Sequence, residues 1–194
     1  MNEIIQLKIT IQGTKPPVWR QIQVEKSITF SQLHTILLIV MGWDGGHLYE
    51  FLVDGIRISE PSSDDEGWGG GIHDSSKIKL DSLISDSKTK IVYTYDFGDD
   101  WEHKIVLEGY HNKDETQYYP VCIDGKQCCP PEDCGGIYAF SELLKTLKNK
   151  NHPDYDDTLE WVGEDYDSEK FDIVKVNKNL RQLNSGKPKA KSKK

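Results

Sequence analysis

The sequence predicts an α+β domain: a mixed or antiparallel sheet with a helix packed across it, in a ubiquitin-like (β-grasp-like) order, followed by C-terminal helices. Three observations carry this expectation. Residues 4–12 and 18–24 alternate apolar and polar with a period of two, as half-buried strands do. Residues 30–41 place apolar side chains at helical spacing. A further pair of alternating runs spans residues 91–107 around a polar turn.

The elements follow in chain order. IIQLKITIQ (4–12) and VWRQIQV (18–24) flank the turn Gly13–Pro17, which suits an antiparallel pair. Thr29 and Gln32 form a capping box, Ile28 and Leu33 a hydrophobic staple, and Gly42 a C-terminal cap. Phe30, Leu33, Leu37, Val40 and Met41 line the buried face of this helix; His34 on it reads as a packed or half-exposed histidine and not a ligand. Asp44-Gly45-Gly46 turns the chain into a strand over His47–Val53. Ser59–Gly71, with Trp68 and four glycines, reads as a long loop, and its glycines lack the Lys-Ser or Lys-Thr of a phosphate loop. Leu80, Leu83 and Ile84 suggest a short connecting turn.

YTYDFGDDWEHKI (93–105) is the densest chemical stretch. A hairpin centred on Asp99 pairs Phe97 with Trp101, Tyr95 with His103, Tyr93 with Ile105 and Ile91 with Leu107, giving an aromatic face. Asp99 and Asp100 suit the turn, and Gly98 supplies positive φ. The same register sets Asp96 against Glu102, a like-charge pair that a structural reading does not explain.

YPVCIDGKQCCPPEDCGG (119–136) holds all four cysteines, Cys122, Cys128, Cys129 and Cys134, spaced C-x5-C-C-x4-C. Paired C-x2-C knuckles of a zinc ribbon are missing from this segment. No cofactor is expected; the alternative is zinc on Cys122, Cys129 and Cys134. Glu132 and Asp133 precede a helix over Ile137–Asn149, where they would favour the helix dipole. Residues 154–172 carry nine acidic residues and one lysine without the pattern of an EF-hand, so they read as a solvated face. A last helix is expected over Ser168–Leu183.

Composition narrows the function classes. Removing the five lysines of residues 187–194 from the net charge of −8 leaves −13 on residues 1–186, which disfavours phosphate backbones as partners of the folded body. Residues 184–194, ending in KPKAKSKK, read as a disordered Lys-rich tail able to make weak contacts with nucleic acid. No apolar run is long enough to span a bilayer and the first residues do not resemble a signal peptide, so a soluble, cytoplasmic protein of one domain (1–183) is expected, with no membrane partner.

PPVWRQIQV, LHTILLIVMGWDGGHLYEF, YTYDFGDDWEHKIVLE, YPVCIDGKQCCPPEDCGG and EKFDIVKVNKNL together resemble the successive signatures of the Ri-plasmid ORF-three-like family, over about residues 3–183. Members of that family are often labelled insertion-element passenger proteins of resolvase type. The resemblance implies an α+β fold of unknown function. Its motif positions fall on Trp19, Arg20, His34, Trp43, His47, Asp96, Gly98, Asp99, Trp101, His103, Pro130, Pro131, Glu132, Asp133, Gly135 and Gly136. Recombinase chemistry needs a basic DNA-binding domain and arginines near a serine, whereas this acidic chain has three arginines and no helix-turn-helix signal. The expected function is a non-enzymatic binding or interaction module for an unknown protein or small-molecule partner, with mobile-element or plasmid associations. The alternative is a metal-dependent or acid/base hydrolase using Asp96, His103, Glu132 and Asp133, with His47, provided the hairpin turn and the PPEDCGG loop meet.

Overall fold

The computed structural model describes residues 3–61 and 71–183. The chain runs β1 (Ile4–Ile11), β2 (Trp19–Glu25), α1 (Phe30–Met41), β3 (Tyr49–Val53), β4 (Ile56–Ser59), β5 (His73–Asp74), β6 (Ile91–Tyr95), β7 (Trp101–His111), β8 (Val121–Lys126), α2 (Gly136–Lys148), α3 (Tyr155–Val162) and α4 (Ile173–Leu183). Among the described residues the strands form one open sheet in the order β5-β4-β3-β6-β7-β1-β2-β8. Neighbours pair antiparallel except β4 and β5, which run parallel. This is a mixed α+β fold.

One face of the sheet makes the core. Leu7, Ile9 and Ile11 of β1, Ile22 and Val24 of β2, Phe51 of β3, Tyr93 and Tyr95 of β6, and Trp101 and Ile105 of β7 are all buried. The other face keeps Lys8, Gln21, Glu102 and Lys104 partly or fully exposed, as expected of a one-sided antiparallel sheet. α1 covers the apolar face with Phe30, Leu33, Leu37 and Val40, and Phe30 meets Phe51 edge-on at 5.1 Å. Its capping box is formed: Gln32 N–H donates to Thr29 Oγ1 at 3.2 Å, and Thr29 N–H donates to Gln32 Oε1 at 2.9 Å. Gly42 ends the helix with φ 93°. His34 stacks on Tyr49 at 3.5 Å and bonds the Tyr93 hydroxyl at 2.8 Å, a packed histidine. α2 adds Phe140, edge-on to Trp101 at 6.3 Å, and α4 adds Leu180. Among the described residues no helix is long and apolar enough to cross a membrane.

Several sequence expectations need correction. The hairpin keeps its faces but shifts register: Tyr95 pairs with Trp101, Tyr93 with His103 and Ile91 with Ile105. The connection is longer than a turn centred on Asp99 allows, because Asp96 leaves the strand with φ 56°. Phe97 therefore stands in the turn, 55% exposed, instead of on the aromatic face. Glu102 faces Thr94, so the like-charge pair with Asp96 does not form. The cysteine segment opens with a strand, β8, so Cys122 belongs to the sheet and not to a loop. α4 starts at Ile173 rather than Ser168, since Asp172 caps it by accepting the Lys175 N–H at 2.9 Å. Within the acidic stretch, Tyr155–Val162 forms α3. Residues 62–70 of the glycine-rich loop, with Trp68, and the Lys-rich tail lie outside the described residues.

Candidate functional site

Three turns meet at one end of the sheet: the 44–47 turn after α1, the 96–100 turn between β6 and β7, and the 130–136 segment before α2. Trp43 joins them. Its indole stacks on Tyr95 at 4.9 Å, and its Nε1–H donates to the Pro130 carbonyl at 3.0 Å. Glu132 then reaches back, accepting the Asp44 N–H at 2.7 Å and the Tyr95 hydroxyl at 3.1 Å. Burial and the neighbouring Glu132 carboxylate push the Tyr95 phenol upward, so it stays a donor.

The hairpin turn holds the loop from the other side. Asp99 Oδ2 accepts the Gly135 N–H at 3.0 Å, just before α2 begins. Glycine is required at 136: φ is 75°, and a Cβ there would sit 2.6 Å from the Asp99 carbonyl oxygen. The anion at the start of α2 is thus Asp99 from another element. Glu132 and Asp133, expected to serve the helix dipole, turn instead toward His47 and Tyr95.

Asp96 is 6% exposed and is fixed on three sides. Its N–H donates to the Leu48 carbonyl at 2.9 Å, its Oδ1 accepts the Gly98 N–H at 2.9 Å, and its carbonyl accepts the Asp100 N–H at 2.6 Å. His47 projects between the carboxylates. Nδ1 lies 3.6 Å from Asp96 Oδ1, while Nε2 lies 3.2 Å from Asp133 Oδ1 and 3.9 Å from Glu132 Oε2. One ligand atom each from His47, Asp96 and Asp133 falls within 4.8 Å of the others. Asp96 and Asp133 both have φ 56°, a left-handed conformation that non-glycine residues seldom adopt.

Of the residues singled out in the sequence, His47, Asp96, Glu132 and Asp133 converge. His103 does not. It lies in the core at 0% exposure, its Nδ1–H donating to the Tyr93 carbonyl at 3.1 Å, and its Nε2 has no hydrogen-bond partner among the described residues. Burial lowers its pKa to about 4, so it is neutral and takes no part in chemistry at the surface. Cys122 Sγ bonds the Asp124 carbonyl at 3.3 Å on β8, Cys129 is buried, and among the described residues no three cysteine sulfurs lie within 4.8 Å of one another. Burial raises every one of the four thiols, Cys122 to about 11.

Local pattern did not reveal Tyr95 as a partner of Glu132, nor Asp99 as the anchor of the PPEDCGG segment. The one signal present was shared composition, since both segments join acidic residues to glycine.

Comparison with known proteins matches this chain to proteins of unknown function. The uncharacterized protein y4hQ of Sinorhizobium fredii is 36% identical over 182 residues, covering 93% of this chain and 92% of its own length. The crystal structure of a protein of unknown function, MM3350 from Methanosarcina mazei Go1, superposes with a TM-score of 0.80 at 36% identity, covering 88% of this chain and 96% of that one. The family model described as plasmid pRiA4b ORF-3-like protein matches residues 3–175, and the chain belongs to that family.

Proposed function

We propose that the protein is a cation-dependent binding module, with one divalent cation held by His47, Asp96 and Asp133 and its open positions left for a ligand. The observation that carries this reading is the convergence of three ligand atoms within 4.8 Å, from three turns far apart in sequence. One imidazole nitrogen with two carboxylate oxygens suits zinc or manganese better than calcium, which prefers an all-oxygen shell. Three protein ligands leave coordination positions open. Leu48 and Phe97, 67% and 55% exposed, adjoin His47 and Asp96 in the chain and offer apolar contact to whatever the cation binds. The strand, strand, helix, strand order of β1–β2–α1–β3 supports a β-grasp-like frame for this module, and the composition supports a cytoplasmic setting.

Hydrolysis is the second reading, with His103 leaving the expected set and His47 remaining as its histidine. Glu132 favours it, as a carboxylate 3.9 Å from His47 Nε2. It ranks second because the Asp44 N–H and the Tyr95 hydroxyl already occupy Glu132 Oε1.

Calorimetric titration of chelator-treated protein with zinc and with manganese tests the proposal. One equivalent bound at micromolar or tighter dissociation constant, lost in Asp96→Asn/Asp133→Asn, is the expected result. Equal binding by the double variant, or none by wild type, contradicts it. In that case His47 serves only to link the two turns that carry Asp96 and Asp133.

A further inference from the structure

Among the described residues Arg20 is the most deeply placed cation, 2% exposed, and no carboxylate pairs with it. Its Nε–H donates to the Val40 carbonyl at 2.9 Å, and Nη1 donates to the Trp19 and Lys126 carbonyls at 2.8 and 2.9 Å. Val40 lies in the last turn of α1, whose dipole supplies about half a negative charge. The rest of the guanidinium charge is met by carbonyl dipoles and not by a carboxylate. Cys122, Cys128 and Cys129 lie close enough to interact with it electrostatically, but burial keeps their thiols protonated.

The third nitrogen, Nη2, takes part in none of these bonds, and it is not sealed from the surface. Arg20 lines a cavity of about 380 Å³ between the end of α1, the cysteine segment and the start of α4. Phe171 covers the guanidinium at 4.0 Å from its ring centroid. This stack depends on Gly125, where a Cβ would come within 2.5 Å of the Phe171 ring. Ile39, Met41 and Val176 give the cavity an apolar wall. Three exposed aspartates, Asp165, Asp167 and Asp172, and two exposed lysines, Lys170 and Lys175, also line it, so its rim adds one net negative charge that opposes a ligand of high negative charge.

We propose that this cavity binds a small organic monocarboxylate, its carboxylate on Arg20 Nη2 and its apolar part against Ile39, Met41 and Val176. A guanidinium fork suits a carboxylate, and the cavity volume suits a molecule of modest size. Arg20 is the one buried cation of the lining, and the rim's net charge of −1 favours one negative charge over a phosphate's two. The site is separate from the His47 centre, so it stands whether or not that centre holds a cation.

The test uses the full chain, labelled with nitrogen-15 and treated with chelator. Butyrate and benzoate are titrated to millimolar concentration against butyramide and benzamide, reading the Arg20 Nε–H resonance. Saturable shifts with at least one acid, and binding at least about tenfold weaker for its amide, are expected. Because Arg20 variants risk unfolding, Ile39→Trp serves as the second arm: it narrows the cavity while leaving the Arg20 carbonyl bonds, and it should weaken acid binding about tenfold with an unchanged circular dichroism spectrum. The proposal is overturned if neither acid shifts the resonance, if acid and amide act alike, or if folded Ile39→Trp binds as wild type does.

Discussion

His47 and His103 touch the same aromatic pair and have opposite characters. His47 meets Tyr95 edge-on at 5.8 Å, His103 meets Trp43 edge-on at 5.3 Å, and Tyr95 and Trp43 stack at 4.9 Å. Yet the His47 side chain is 33% exposed among carboxylates, while His103 is fully buried with a carbonyl as partner. Residue type therefore says little about role here. A histidine on the inward face of a strand joins the core; a histidine in a turn, met by two other turns, joins a site.

The largest expected effect lies on the core side. Trp101, at 0% exposure, packs against Phe140 and Trp43. Trp101→Ala should cost about 4 kcal/mol in urea unfolding, and a loss below about 1 kcal/mol would break the description of this region as core.

His103 sharpens the contrast through pH. Its folded pKa of about 4 lies below the ordinary value of 6.5, so between these values the unfolded chain binds the extra proton. Its contribution is fully present above pH 6.5 and is lost as pH falls toward 4, amounting to about 3 kcal/mol at most. His103→Gln has no imidazole to titrate in this range. The stability gap between wild type and variant should narrow as pH falls from about 7 to about 4, and a constant gap in urea titrations would show His103 to be no buried neutral imidazole.

On the site side the expected effect is on binding and not on folding. His47→Ala should weaken zinc or manganese binding about 100-fold, measured by calorimetry, while changing metal-free stability by less than about 1 kcal/mol. Large destabilisation with unchanged cation affinity would reverse the roles of the two histidines.

The smallest effect concerns the tie between the turns. Asp99→Ala removes the acceptor of the Gly135 N–H and should cost about 1 kcal/mol, with faster hydrogen exchange confined to the PPEDCGG segment. Unchanged exchange at Gly135 would mean that Asp99 does not hold that segment.

The sequence was most informative where one face of one element decides the outcome. Period-two alternation located β1, β2, β6 and β7, and the Thr29–Gln32 box located α1 to the residue. It put His103 on the aromatic face because side-chain parity survives a register shift of two. The register itself depended on Asp96 adopting a left-handed conformation, which pattern does not specify. β4 and β5 are too short for periodicity to register, and β8 was hidden because its cysteines and glycine suggested a loop. The acidic and histidine members of the site were each conspicuous as residue types. Their meeting was not legible, because it rests on Trp43 and Asp99 drawing a distant segment onto the hairpin turn.

The central claim is that the three turns hold one cation at His47, Asp96 and Asp133. Manganese titration of nitrogen-15-labelled protein tests it most directly, because paramagnetic broadening locates the bound ion. With up to one equivalent, broadening should centre on residues 45–48, 96–98 and 132–134 and vanish in Asp96→Asn/Asp133→Asn. Broadening that instead begins in the acidic stretch 154–172, or that persists unchanged in the double variant, would contradict it.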